Sequence, residues 1–265
     1  FKQKTAYEIK ECDWSSDVCS SDLKVAIVTG ASAGLGTRFA RVLHAAGAKV
    51  AITARRVDRL ESLAAELPGS FAVQCDVSDG AQREQMVSKV VAHFGRVDIL
   101  VNNAGIGHTI AIEDESLERF REVMEVNTTA VWHLAKLCGE HMVAQKSGAI
   151  VNVASILGLV GSTPIKQANY AASKGAVINL TRELALQWAR KGVRVNSLCP
   201  GWFPSEMTAG MESDPGSQKL IQANSPIPRM GLEHELDGAL LFMASDASSF
   251  MTGQSVIVDG GWTAR

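Results

Sequence analysis

The sequence predicts an α/β fold: a doubly wound, seven-stranded parallel sheet with helices on both faces. Three observations predict it. From Lys24 onward, short β-branched runs alternate with longer helical patterns. The strand-sized runs are continuously apolar, as strands covered on both faces must be. No linker, repeat or low-complexity stretch divides residues 24–265, so residues 23–265 are expected to form one domain.

Taken in order, KVAIVT (24–29) is the first strand, and the glycine-rich ASAGLG carries it into a helix near 35–46. AKVAITA (48–54) is the second strand, followed by VDRLESLAAEL (57–67), a helix stopped by Pro68 and Gly69. SFAVQCDV, a helix ending near Phe94, and VDILVNNAG supply the next strand, crossover and strand. GAIVNVAS (148–155), a long helix near 168–190, VRVNSLCP (193–200) and QSVIVDGG (254–261) complete the series. Right-handed crossovers between parallel strands place ligands at the carboxyl ends of the strands.

Composition narrows the function. At 46% hydrophobic and 20% charged, the chain is too apolar for disorder. A formal net charge of −2 offers no basic surplus for nucleic acid or an anionic membrane. The longest apolar stretches fall well short of the ~20 residues that span a bilayer. Five scattered cysteines without a CxxC pair suit free thiols in a reducing, cytoplasmic setting. Six histidines without HxxxH or HExxH spacing make a metal site unexpected. Residues 1–22 break with the pattern: they have no helical or strand period, and CDWSSDVCSSDL reads like translated adapter sequence. A non-native or disordered tail, outside the fold, is expected there, and Cys12 and Cys19 go with it.

The first strand ends in Thr29, Gly30, Ala31, Ser32, Ala33, Gly34, Leu35 and Gly36 and runs straight into a helix. Such glycines let backbone approach a pyrophosphate, and the helix N-terminus adds unsatisfied N–H groups and a positive dipole end. The spacing is G-x-x-x-G-x-G, which is not the usual dinucleotide fingerprint. After the second strand, where a carboxylate would meet an adenosine ribose, the chain reads Ala54, Arg55, Arg56. Arginine forks suit a 2′-phosphate, so NADP(H) is favoured, with NAD(H) the alternative, and Arg55 is the preferred reader over Arg56. Asp76 and Val77 follow the third strand, where a carboxylate meets an adenine amino group. Asn102, Asn103, Ala104 and Gly105 follow the fourth, with amides able to tie strand ends together.

Tyr170 and Lys174 lie four apart at the start of a helix and so share a face. A tyrosine titrates near 10 when unperturbed, so proton transfer near neutrality needs a cation close by. Lys174 and an oxidised nicotinamide ring would each supply one. Ser155 ends the fifth strand, and Asn127 sits awkwardly within a long helical stretch (RFREVMEVNTTAVWHLA). With Tyr7 in the tail, Tyr170 is the single tyrosine of the body.

TGASAGLG, NNAG, Asn127, Ser155 and YAASK, in that order over residues 24–265, resemble the short-chain dehydrogenase/reductase family, whose sheet is of the Rossmann type. The resemblance implies Tyr170 as general acid/base, Lys174 lowering its pKa and holding the nicotinamide ribose, and Ser155 orienting the substrate oxygen. It implies that Asn127 holds a water linking Lys174 to solvent. It further implies that Gly30, Ser32, Gly34, Leu35 and Gly36 wrap the pyrophosphate and that Asn103 lies on the adenosine side. Pro200, Gly201, Phe203 and Ser205, in PGWFPSEMT, resemble the loop that contacts the nicotinamide carboxamide. VDGGW resembles members that assemble as tetramers, so a homotetramer is expected.

Three departures stand out. Ser155 and Tyr170 are fifteen apart, two more than is common; Ala33 replaces a frequent arginine or lysine; and the tail stands in place of the usual N-terminus before the first strand. The expected reaction interconverts a ketone and a secondary alcohol. Residues 106–109, 156–166 and 202–211 are the expected pocket walls, and Ile156, Leu157, Leu159, Val160, Trp202, Phe203, Met207 and Met211 favour an apolar ketone or acyl chain over a bare sugar. His108 fits either the substrate or a solvent-facing rim. Two alternatives stand beside this reading. One is a reductase of 3-oxoacyl thioesters, with Arg119, Arg121 and Lys166 as hints of a basic mouth; the other is a silent NADP(H)-binding protein.

Overall fold

The computed structural model describes residues 24–264, so the expectation for residues 1–22 lies outside the described residues. Seven strands form one all-parallel sheet. They are β1 (Val25–Thr29), β2 (Lys49–Ala54), β3 (Phe71–Gln74), β4 (Ile99–Asn102), β5 (Gly148–Val153), β6 (Val193–Pro200) and β7 (Ser255–Val258). Their spatial order is β3-β2-β1-β4-β5-β6-β7, so the winding reverses between β1 and β4. Strand ends diverge at such a reversal and leave a crevice at their carboxyl edge.

The helices are α1 (Gly34–Ala45), α2 (Val57–Glu66), α3 (Gly80–Phe94), α4 (Leu117–Met124), α5 (Ala130–Gln145), α6 (Ala168–Trp188), α7 (Pro215–Asn224) and α8 (Asp237–Ala244). The period-two alternation of strand side chains divides the core into two layers. Ala26 and Val28 of β1 face Phe39 and Leu43 of α1 and Leu240 and Met243 of α8. Val25 and Ile27 face the other layer, with Met86 and Val90 of α3, Leu134 and Met142 of α5, and Leu184 of α6. Every residue of β1 is buried, which is why the strand reads as an unbroken apolar run.

Most predicted elements agree with the structure within a residue or two. The others differ as follows. SFAVQCDV, VDILVNNAG and QSVIVDGG each carry only four strand residues; in the first, Cys75 to Val77 leave the sheet at its edge. The helical stretch around Asn127 is two helices joined by a π turn, Glu125–Thr129. A π turn frees backbone groups from the regular ladder, and such turns recur at functional sites. The helices α7 and α8 escaped the periodicity because both are short, ten and eight residues, and flanked by turn residues.

Candidate active site

At the end of β1 the chain turns through Gly30 and Gly34, with φ of 68° and 53°, left-handed values that favour glycine. Gly36 has a different reason for lacking a side chain. A Cβ there would lie 2.2 Å from the Gly30 carbonyl oxygen and 2.6 Å from the Asn103 amide nitrogen. The glycine therefore lets α1 press directly on the turn. Leu35 packs on the core layer beneath. No side chain caps α1, whose preceding residue is Ala33, so its first N–H groups are served by no cap. An uncapped twelve-residue helix opening on a glycine turn fits a pyrophosphate.

Thr29 and Asn103 lock this turn to β4. The Thr29 hydroxyl accepts from the backbone N–H of Asn103 (2.9 Å) and Ala104 (3.0 Å), and the Asn103 amide donates to the Thr29 carbonyl (2.9 Å). Asn103 is thus a brace between strand ends, as is Asn102, whose amide donates to Asn152 across to β5 (2.9 Å).

On the adenosine side the two arginines divide. Arg55 is exposed, and its side chain has no partner among the described residues; its carbonyl accepts from Gln74 (3.1 Å). Arg56 is the one that reaches the turn: its Nε and Nη2 donate to Ser32 Oγ at 3.2 and 2.9 Å. The other edge of its guanidinium grips Glu206 through two bonds of 2.7 and 2.9 Å, and Arg59 donates to the same carboxylate at 2.7 Å. Arg56, first among these contacts, holds the Glu206 carboxyl down at about 2. Asp76 spends one oxygen on the backbone and hydroxyl of Ser78 (2.9 and 2.8 Å).

Val77 is held by a residue that sequence reasoning missed. Arg83 is only 5% exposed, donates to the Val77 carbonyl, and also reaches His133 Nδ1 (3.0 Å) and Glu125 in the π turn (2.9 Å). Its signal was a lone arginine on the inner face of a helix, unreadable without the neighbours. Because Glu125 is partly solvated, Arg83→Met should cost less than a fully buried pair, about 2 kcal/mol. Denaturant titration checks this; an unchanged midpoint would make the arginine dispensable.

The chemistry-bearing groups converge at the ends of β4, β5 and the start of α6. Ser155, just past β5, caps a short 3₁₀ turn by accepting from the Leu157 N–H (3.1 Å). Tyr170 opens α6 beside this turn, near enough to Ser155 for that hydroxyl to bear on its titration, and Lys174 Nζ stands 5.5 Å from the Tyr170 ring centroid. Burial pushes the phenol up to about 12, with Ser155 pulling the other way. Burial likewise pushes Lys174 down to about 8. Its ammonium donates to the Val153 carbonyl at the end of β5 (2.7 Å).

Asn127, fully buried in the π turn, grips Ile106 on both backbone groups. It accepts from the Ile106 N–H (2.9 Å) and donates to its carbonyl (2.8 Å), with a further bond to Ser173 Oγ (3.0 Å). This clamps the loop after β4 against α6. Gly105 leaves room there, since a Cβ would lie 3.3 Å from Asn127 Oδ1 and 3.5 Å from Lys174 Nζ.

The loop after β6 closes the site. Pro200 ends β6, and Gly201 abuts Asp259, where a Cβ would lie 2.7 Å from the Asp259 Cα. Asp259 in turn accepts from Gly261 and Thr263 (2.8 Å each), and Trp262 meets Trp202 edge-on at 5.6 Å. The VDGGW segment thus buttresses this loop. Ser205 lies beside the turn, 3.4 Å from where a Gly34 Cβ would be, and accepts from the Thr208 N–H (3.2 Å). The Phe203 side chain is placed in the core against Gly231, so only its backbone remains for a ligand. Ile156 and Leu157 are also buried in the core rather than exposed as pocket wall. Leu159, Val160 and Met207 stay exposed; Gly107 separates the Met207 sulfur from the Tyr170 ring, and a Cβ there would touch both, at 3.3 and 3.0 Å. His108 sits at the rim, its Nε2 4.0 Å from Glu122.

Among the described residues, no group of three His, Cys, Asp or Glu could hold a metal ion. No helix there is long and apolar enough to cross a membrane. Cys75, Cys138 and Cys199 are buried free thiols.

A reversal crevice bearing a glycine turn and a Ser–Tyr–Lys cluster, its serine and lysine buried, marks the class of nicotinamide-dependent oxidoreductases. Comparison with known proteins agrees. A family model described as enoyl-(acyl carrier protein) reductase matches residues 30–263. A 3-oxoacyl-[acyl-carrier-protein] reductase of Staphylococcus epidermidis is 37% identical over 243 residues, covering 90% of this chain and 98% of that protein. A short-chain dehydrogenase/reductase structure from Mycobacterium marinum is 36% identical with a TM-score of 0.89, covering 94% of this chain and 99% of that one. A gluconate 5-dehydrogenase from Burkholderia cenocepacia, in complex with NADP and tartrate, is 33% identical with a TM-score of 0.89, covering 94% and 98%. The chain belongs to the short-chain dehydrogenase/reductase family and is an NAD(P)-dependent oxidoreductase.

Proposed function

We propose that the protein interconverts a ketone and a secondary alcohol with NADP(H), Tyr170 acting as the general acid/base. The observation that carries this is the cluster in which the Tyr170 ring meets the ammonium of buried Lys174, with buried Ser155 acting on the same phenol. When bound, the nicotinamide supplies or accepts the hydride. The glycine turn and the uncapped end of α1 would hold its pyrophosphate, and Lys174 would hold the nicotinamide ribose. Tyr170 donates the proton to the carbonyl oxygen in reduction and takes it back in oxidation, while Ser155 donates a hydrogen bond to that oxygen as charge develops. Asn127 keeps the loop carrying Gly105 and Ile106 in place beside Lys174. A water held by Asn127 would give that ammonium its route to solvent.

NADP(H) is supported by Arg55 and Arg56 where a ribose-binding carboxylate would stand, and by the NADP in the Burkholderia structure. Met207 beside Tyr170 supports an apolar flank on the substrate. The Staphylococcus relative favours, as a second reading, a 3-oxoacyl thioester as the ketone. Exposed Leu186, Phe250 and Trp132 support assembly, for which a homotetramer is our expectation. Turnover of a ketone panel with NADPH tests the reading; cofactor binding without turnover of any ketone or alcohol would leave a silent binding protein instead.

Lys174 gives a pH signature. Its ammonium loses protons near 8 in the fold and near 10.4 when unfolded, so the unfolded chain binds the extra proton between those values. Stability of the wild type should therefore rise with pH across that window, relative to Lys174→Met, by about 3 kcal/mol. Below pH ~8 the difference should be flat. Denaturant unfolding of both proteins at several pH values reads this, and parallel profiles would refute it.

A further inference from the structure

We propose that Glu206 tunes the cofactor preference as an internal competitor for Arg56, which we place on the 2′-phosphate in preference to Arg55 because it is the arginine that reaches the glycine turn. The proposal rests on the NADP(H) reading above. Glu206 comes from the loop after β6, 150 residues from Arg56 in sequence, yet it takes both terminal nitrogens of that arginine. The remaining Nε and the shared Nη2 are spent on Ser32 in the glycine turn. Every nitrogen of this guanidinium is thus engaged, and Arg59 secures the same carboxylate from the next turn of α2. These bonds use four of its five N–H groups, so a second anion takes the paired fork of Arg56 only by displacing Glu206.

The charges decide which anion wins. A phosphate monoester carries about −1.5 to −2 near neutrality and offers three acceptor oxygens. The carboxylate carries a single charge and is 56% exposed, so its release into water is cheap. A 2′-phosphate therefore takes the fork, but against a penalty. A cofactor ending in a 2′-hydroxyl has no charge with which to compete, and it binds with the clasp closed. Glu206 in this way narrows the discrimination that the arginines alone would give.

The test is a fluorescence titration of NADPH and of NADH, on the full chain, for the wild type, Glu206→Gln and Glu206→Ala. Both variants should bind NADPH about tenfold more tightly, ~1.4 kcal/mol, and NADH within about twofold of the wild type. Adding Arg56→Gln to either variant should erase the gain. An unchanged NADPH-to-NADH ratio in both variants would overturn the proposal, as would weaker NADPH binding, which would make Glu206 a support that positions Arg56. The two readings fail separately. A wild type that prefers NADPH but ignores the loss of Glu206 sinks the competitor alone. A wild type that favours NADH, with NADPH tightened selectively by Glu206→Gln, keeps the competitor and sinks the NADP(H) preference.

Discussion

Tyr170→Phe should lower kcat/KM by about 10²–10⁴-fold while the Kd for NADPH stays within about twofold, because general acid–base help is worth that much in rate and the phenol oxygen bears little of the binding. The change removes one oxygen and keeps the ring. Lys174 therefore keeps its face contact and its bond to the Val153 carbonyl. Ser155 still caps the turn at Leu157. The fold should be untouched, so a change in melting temperature beyond a degree or two would mean that the loss of rate is not chemical. Steady-state kinetics beside a cofactor titration separates the cases. Full turnover with intact cofactor binding would remove Tyr170 from the mechanism.

Gly36→Ala should produce the largest loss of stability from the smallest change. A methyl group there would meet the Gly30 carbonyl at 2.2 Å, and that oxygen belongs to backbone locked by Thr29 and Asn103. Overpacking typically costs 1–3 kcal/mol, and a rigid neighbour puts this site at the upper end, about 3 kcal/mol. For a chain of this size that is roughly a 6–12 °C fall in Tm. Relief requires α1 to move off the turn, so NADPH affinity should fall as well. Thermal unfolding with and without cofactor checks both effects. A variant as stable as the wild type would mean that the helix can shift freely, and the turn would then be no rigid cradle.

What was legible in the sequence was whatever depends on local pattern. The strands read as apolar runs because each is covered on both faces, and the glycine turn showed itself by composition. Tyr170 and Lys174 were visible because four residues on a helix make one face. What escaped depends on contacts far apart in the chain. Asn127 looked awkward for a helix interior, and the reason is a π turn whose freed geometry lets its amide grip Ile106. Arg83 and Glu206 are single charged residues whose meaning comes from partners as far as 50 and 150 residues away. The apolar character of Ile156, Leu157 and Phe203 signalled burial without saying whether core or pocket buried them, and the core did.

The chemistry assigned to Tyr170 depends on cofactor binding, which a titration of NADPH and NADH against the purified chain tests. Saturable binding of both, with NADPH the tighter, is the predicted result. If neither binds, the glycine turn, the uncapped helix and the arginine pair are contradicted together, and with them the chemistry assigned to Tyr170.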